Sequence, residues 1–321
     1  MKDSKTNQRS ILLIVPYFGQ WPFWFDAYLL SIAKNTSIDW LFITDCEIPK
    51  IYPSNSKFVP SSLIDFNHRI DSNFGFEVPL SPRKICDIRV AFGDIFKEEL
   101  QDYDFWGYCD VDIIWGDIRK FITGEKLNFY DIISSRKENT SGHFTIFRNN
   151  ENLNTFYKTI PDYQRLFQLE KLQRMDEEVL SSHLKQTMGQ QVNPFKVCWD
   201  KILLNSEAGR DSHQEYMYNR WLWKDGKIFQ IQNGRIMKEV MYLHFINWKR
   251  TLMTSEIIYD EKPSEFYISS DKIHLKPHSR LSENFRLFLN LFDGYQIRES
   301  RRLNYKRRKK SLKKIINRLK F

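Results

Sequence analysis

The apolar positions of the chain fall into short unbroken runs, separated by segments rich in Pro, Gly, Ser and Asn. Ile11-Leu12-Leu13-Ile14-Val15 is continuous and stops at Pro16-Tyr17-Phe18-Gly19. That pattern predicts a strand buried on both faces of a parallel sheet. Phe23 to Ala33 predicts an apolar helix packed on it, and Asp39-Trp40-Leu41-Phe42-Ile43-Thr44-Asp45 a second buried strand. Residues 46–80 read as a loop region with one or two short elements around Ser61–Phe66. Ser81 to Gly93 predicts a helix, with Pro82 in its first turn, Gly93 at its end, and Ile85, Ile88, Arg89 and Phe92 along its buried side. Further strands are expected at 130–135 and 141–149, helices at 152–172 and from Met175 to His183, turns at Gly226 and Gly234, and a strand over 239–250. Alternation of strands and helices predicts an α/β fold with a mostly parallel central sheet.

The stretch Tyr103 to Ile118 departs from this pattern. It places Asp110 and Asp112 inside an apolar segment, flanked by Phe105, Trp106, Val111, Ile113, Ile114 and Trp115. Residues two apart in an extended chain project to one side, so the two carboxylates would lie together. Buried carboxylates need a counter-charge. A divalent cation supplies one, and oxygen donors suit Mg²⁺ or Mn²⁺. The alternative is a turn with an aspartate capping a helix, the role that Asp117 fills at the start of the next helix.

Other candidates are set by position. Ligands of open α/β sheets bind outside the carboxyl ends of the strands. Tyr17 and Phe18 after the first strand can stack on a base or join the core, and Asp45 after the second can meet a ribose hydroxyl or cap a turn. Lys84 and Asp87 share a helix face, and Lys84 can reach a phosphate or stay solvated. Gly142 allows close backbone approach beside His143. Asp176, Glu177 and Glu178 sit in a first helical turn, where the dipole favours acids, or else face a ligand. His244 is a packed strand residue or a ligand.

Composition narrows the classes. Aromatic residues make up 15% of 321 and hydrophobic residues 41%, which excludes a disordered chain. Cys46, Cys86, Cys109 and Cys198 have no zinc-type spacing and read as buried apolar residues. No transmembrane helix or signal segment is expected, so the protein is expected in the cytoplasm. Residues 298–321 hold twelve Lys/Arg and one acid, a charge of +11 within a whole-chain +9, so the remainder carries −2. A near-neutral body argues against a nucleic-acid-binding face. Leu312, Ile315, Ile316 and Leu319 recur at helical spacing in the basic tail. A basic amphipathic helix suits an anionic membrane surface; RNA binding or plain solvation are the alternatives.

Taken in order, the aromatic/Gly loop, the strand ending in Asp45, the Lys84/Asp87 helix, the Asp110-x-Asp112 strand, Gly142-His143-Phe144-Thr145, Asp176-Glu177-Glu178 and Leu243-His244-Phe245 resemble the GT-A type nucleotide-sugar glycosyltransferases. The likeness covers about residues 10–250 and is nearest to the small bacterial enzymes that build capsule and surface polysaccharides. More loosely it extends to glycogenin-like and mannosyltransferase-like groups. It implies a Rossmann-like GT-A domain over 1–255, an extension over 256–297 and the basic tail over 298–321. It implies that Asp110, Asp112 and His244 hold Mn²⁺ or Mg²⁺ on the donor diphosphate, and that Lys249 steadies the leaving diphosphate. After the histidine the chain has Asn247-Trp248-Lys249 where that family has Lys-Pro-Trp. Tyr17 and Asp45 would lie near the nucleoside, Lys84 and Asp87 beside the donor sugar, and Asp176 and Glu177 against the transferred sugar or the acceptor. The implied partners are a nucleotide-sugar donor, by resemblance a UDP-sugar, and a glycan or lipid-linked acceptor at the inner face of the cell membrane. A nucleotidyltransferase is the rival enzyme, but it needs a Gly-rich phosphate loop, and the loop after the first strand has only Gly19. A nucleic-acid-binding protein acting through the tail is the non-enzymatic rival.

Overall fold

The computed structural model describes residues 8–199, 217–232, 234–244 and 251–318. The chain opens with β1 (Ile11–Tyr17), α1 (Phe25–Ala33), β2 (Asp39–Thr44), β3 (Ser56–Pro60) and α2 (Leu63–Phe74). Two short helices come next, α3 (Ile85–Ile88) and α4 (Phe92–Ile95), and then β4 (Phe105–Cys109) and β5 (Ile113–Trp115). Helices α5 (Ile118–Phe121) and α6 (Gly124–Phe129) lead to β6 (Ile132–Ser134) and β7 (Phe144–Arg148). Beyond them lie α7 (Glu151–Asn154), α8 (Tyr163–Gln168), α9 (Leu180–Thr187) and β8 (Val197–Trp199).

The central sheet has seven strands in the order β3-β2-β1-β4-β7-β6-β8. β7 runs antiparallel to both neighbours and the remaining pairs are parallel. This is the mostly parallel α/β sheet flanked by helices that the sequence predicts. Alternate residues of β1 feed opposite cores, as a pleated strand requires. Ile11, Leu13 and Val15 pack with α1 and Trp115 on one face. Leu12 and Ile14 pack with Phe66, Ile88, Phe92 and Phe167 on the other.

A second sheet covers the α1 face. It is built from β9 (Trp221–Lys224), β10 (Lys227–Gln232), β11 (Arg235–Val240), β13 (Thr254–Ser255), β14 (Glu265–Ile268) and β15 (Lys272–His274), with β12 (Tyr242–His244) leaving it to pair with β5. The turns at Gly226 and Gly234 have φ of +82° and +73°, the left-handed region that glycine enters freely. Within residues 256–297, expected as a C-terminal extension, β14 pairs with β9 of this sheet. Helices α10 (Arg280–Asp293) and α11 (Tyr295–Arg318) close the chain, and the basic tail is helical as expected over the described residues.

Three expectations change. The segment 46–80 is more ordered than its composition suggests: it holds β3 and the twelve-residue α2, capped by Ser62 on the backbone N–H of Asp65 and ended by Gly75 at φ +74°. The predicted helix over 81–93 is broken by a 3₁₀ turn at Arg89–Ala91, and Gly93 lies inside α4 rather than ending it. A Cβ at Gly93 would stand 2.6 Å from Asn154 Oδ1 and 2.7 Å from Trp106 Nε1, so close packing rather than helix termination requires the glycine. The helix expected over 152–172 is divided, because Asp162 after Pro161 turns left-handed at φ +56°.

Candidate functional site

Strands β2, β1 and β4 are parallel neighbours, so their carboxyl ends form one edge. Tyr17 ends β1, Asp45 follows β2 and Asp110 follows β4. Because β7 runs the other way, its first residues return to the same edge, with Cys109 opposite Phe144. His143 and Gly142 therefore arrive beside Asp110.

The aspartate pair occupies a turn between β4 and β5 rather than an extended strand. Three contacts hold that turn. The Trp24 indole donates to the Val111 carbonyl at 2.9 Å. The Asp110 amide donates to the His143 carbonyl at 3.2 Å. Pairing of β12 with β5 sets His244 opposite Ile113, next to Asp112. The result is that His244 Nε2 stands 3.4 Å from Asp112 Oδ2 and 3.9 Å from Asp110 Oδ2. One donor atom from each of the three residues lies within 4.8 Å of the others. Two carboxylate oxygens and one imidazole nitrogen, with Asp112 and His244 buried, fit Mn²⁺ or Mg²⁺ by donor chemistry.

A second layer fixes the histidine. The His143 ring stacks on His244, with centroids 4.1 Å apart. The Tyr242 hydroxyl donates to Ser135 Oγ at 2.6 Å and so accepts from His143 Nε2 at 2.8 Å, while His143 Nδ1 meets Ser141 Oγ at 2.8 Å. With the Tyr242 hydroxyl proton committed to Ser135, His143 Nε2 is the donor to Tyr242. His143 thus supports a candidate ligand from a buried position.

The charge balance comes from a residue without a role in the sequence reading. Arg89 is buried and donates to Asp110 Oδ1 at 2.6 Å, to the Gly142 carbonyl, and to Asp176 Oδ2 at 3.5 Å. It opens the 3₁₀ turn Arg89–Ala91. A charged residue on the apolar side of a helix was the available signal, since such a charge must find a partner.

Asp176 and Glu177 open a π-helical turn, Met175–Val179, that leads into α9. Burial pushes the Asp176 carboxyl up to about 7, against the opposing pull of Arg89. Burial alone would also raise Glu177, but Arg136 and Arg174 hold it below its usual range. Arg136 contacts Glu177 Oε1 at 2.9 Å, and the Gly142 amide donates to the same oxygen at 3.2 Å. The close approach expected at Gly142 is therefore made by the protein itself: a Cβ there would stand 3.0 Å from Asp176 Oδ2.

Lys84 and Asp87 pair at 3.0 Å with side chains 1% and 0% exposed, instead of lining an open cleft. The ammonium is taken up by the carboxylate, and Asp87 also accepts from the Gln173 and Met175 amides at 2.9 and 3.1 Å. In this arrangement the pair anchors the segment that presents Asp176. Asp45 accepts from the Gly19 amide at 2.7 Å, the turn-capping alternative, and Tyr17 stacks on Trp21 with centroids 5.1 Å apart. Lys249 lies outside the described residues. A cavity of about 540 Å³ lies away from this edge, between α10 and β10, where Asn219, Ile231, Glu283 and Leu287 line it.

No curated protein matches the chain. Among solved structures it is similar to the galactosyltransferase LgtC in complex with donor and acceptor sugar analogs, at 14% identity, over 65% of this chain and 75% of that one, with a TM-score of 0.34. It is similar to the apo-form glycosyltransferase GlyE of Streptococcus pneumoniae TIGR4 at 13% identity, over 59% of this chain and 44% of that one, with a TM-score of 0.33. A third likeness is to mouse xyloside xylosyltransferase 1 in its apo form, at 10% identity, over 60% and 79% of the two chains, with a TM-score of 0.30. Likenesses at this level assign no activity. The sequence family is more definite: residues 13–277 match the model described as a family of unknown function (DUF6625), and the chain belongs to that family.

Proposed function

We propose that this protein is a metal-dependent glycosyltransferase that moves a hexosyl group from a nucleotide sugar, with UDP as the nucleotide, to a glycan or lipid-linked acceptor in surface polysaccharide synthesis. The observation that carries the reading is the convergence of Asp110, Asp112 and His244 at the carboxyl edge of the sheet. The resemblance of the motif order to GT-A enzymes supports it. Asp110, Asp112 and His244 would hold Mn²⁺ or Mg²⁺, which when bound offsets the charge that develops on a leaving diphosphate.

The chain's own residues have defined tasks in this reading. Asp176 is the better proton acceptor of the acidic pair, because its carboxyl lies at about 7 and can gain or lose a proton at neutral pH. It takes the acceptor hydroxyl proton as the new C–O bond forms, and the bond from the sugar to the diphosphate oxygen breaks with its electron pair leaving on that oxygen. Glu177 is held by two arginines and the Gly142 amide and orients the turn. Arg89 keeps Asp110 and Asp176 at a fixed separation. Tyr17 and Asp45 are assigned to the nucleoside, Lys84 and Asp87 to the support of the sugar-facing turn, and Lys249 to the leaving diphosphate. Residues 298–321 are assigned to the anionic inner face of the cell membrane.

A panel of nucleotide sugars assayed for nucleotide release, with Mn²⁺, Mg²⁺ or EDTA, tests this. One donor should turn over only with metal, and Asp112→Ala should lower that rate at least a thousandfold. Turnover unaffected by EDTA or by Asp112→Ala would overturn the metal role. No turnover with any donor, acceptor present, would overturn the transferase reading.

A further inference from the structure

Helix α10 is docked the wrong way round for a globular protein. A surface helix normally turns its apolar stripe to the core and its charges to water. Here the inward face is mostly polar, with Leu287 on the cavity between α10 and β10. Glu283 Oε1 accepts from the Asn219 amide at 2.9 Å. Arg286 reaches Asp271 Oδ2 at 2.7 Å and lies over the Tyr218 ring at 4.0 Å. None of the helix residues is buried. Leu281, Phe285, Phe288 and Phe292 recur at spacings of four, three and four, so they form one stripe. They are exposed by 81%, 61%, 54% and 59%.

The basic helix that continues from α10 indicates the occupant. Gly294 separates α10 from α11, and Arg301 bonds back to Asp293 at 2.9 Å, which ties the two helices together. From Arg298 to Arg318 the sequence has eleven Lys/Arg and the single acid Glu299. An exposed aromatic stripe next to a dense positive charge matches a surface that is anionic outside and apolar just beneath. Among the described residues no helix is long and apolar enough to cross a membrane, so the pairing suits a helix lying in the interface.

We propose that α10 is an interfacial membrane anchor: its Leu281-Phe285-Phe288-Phe292 stripe enters the acyl boundary of an anionic bilayer while α11 holds the headgroups. The proposal deepens the attachment assigned above to residues 298–321 and moves the apolar share of binding to a helix outside that tail. Polybasic segments bind anionic lipid through charge and lose affinity in salt; an inserted stripe retains binding that salt does not remove.

The test is co-sedimentation of the full chain with phosphatidylcholine vesicles, with and without 30% phosphatidylglycerol, at low and high salt. One variant carries Leu281→Ser, Phe285→Ser, Phe288→Ser and Phe292→Ser. A second carries Arg307→Glu, Arg308→Glu, Lys309→Glu and Lys310→Glu. Circular dichroism and gel filtration of each establish folding and oligomeric state. Wild type should bind the anionic vesicles, retain part of that binding in high salt, and run as a monomer. The serine variant should partition at least tenfold more weakly, and what binding remains should vanish in high salt. The charge variant should lose most of its preference for anionic lipid. If the charge variant fails and the serine variant binds like wild type, the tail attaches alone and the α10 proposal is overturned. It is equally overturned if wild type is a dimer that the serine variant converts to monomers, since a second copy would then cover the stripe.

Discussion

Arg89→Met removes a cation that touches both Asp110 and Asp176. It deletes the 2.6 Å bond to Asp110, the 3.5 Å contact to Asp176 and the bond to the Gly142 carbonyl. Removing one partner of a buried ion pair costs about 3–5 kcal/mol, because a charge is left without compensation. Asp110 is 29% exposed and can recruit water, whereas the Asp176 side chain is 4% exposed and can only take up a proton. In the wild type Asp176 titrates at about 7, and Arg89 acts to lower that value, so the variant's carboxyl titrates higher. Between pH 6 and 8 the wild type therefore loses roughly half of the Asp176 proton on average, and the variant keeps more of it. With about 1.36 kcal/mol per unit, the penalty at pH 8 should exceed that at pH 6 by up to about 1.4 kcal/mol. Urea unfolding of both proteins at the two pH values, in EDTA, measures this directly. An equal penalty at pH 6 and 8, or a penalty below about 1 kcal/mol at pH 8, would refute the view that Arg89 compensates a buried Asp176.

Two further outcomes rest on the same geometry. Asp176 holds its proton in the folded chain up to about pH 7 and releases it near 3.8 when unfolded. Its contribution is thus complete below pH 3.8 and lost as pH rises through 7, at most about 4 kcal/mol; Asp176→Asn should remove that decline from a stability–pH profile, and an unchanged profile would show that another group causes it. Trp24→Phe leaves the Val111 carbonyl without its 2.9 Å donor inside the turn between the two aspartates. It should cost about 1–3 kcal/mol and weaken Mn²⁺ binding in a calorimetric titration, while loss of stability with unchanged Mn²⁺ affinity would mean that the turn does not depend on this bond.

The strands were legible in the sequence because they are buried on both faces, so Ile11–Val15 and Trp40–Ile43 appear as unbroken apolar runs. Helix α2 was not, because only Phe66 and Ile70 of its twelve residues are buried and its pattern is nearly that of a polar loop. The break at Arg89–Ala91 was hidden for another reason: the apolar spacing from Ile85 to Phe92 is nearly the same in a 3₁₀ turn and an α-helix. At the site, the Asp110/Asp112 pair stood out because acids in an apolar stretch demand a partner. Arg89, 21 residues from Asp110 and 87 from Asp176, supplies part of that demand through tertiary contacts that no local pattern encodes. Lys84 and Asp87 were legible as a pair by their spacing, but their burial is set by Gln173 and Met175 on a distant segment. For His244 the sequence left a packed residue and a ligand open, since β12 meets β5 by a long-range pairing.

The central claim is that Asp110, Asp112 and His244 form a cation site that serves a nucleotide sugar. Its most direct test is a thermal-shift titration with Mn²⁺ and a UDP-sugar, together and separately, on wild type and Asp112→Ala. A ligand that binds only the folded state raises the melting temperature by mass action. The account predicts that the nucleotide sugar stabilises wild type only when Mn²⁺ is present, and that Asp112→Ala responds to neither. A wild type indifferent to both ligands, or an alanine variant that responds as wild type does, would contradict it.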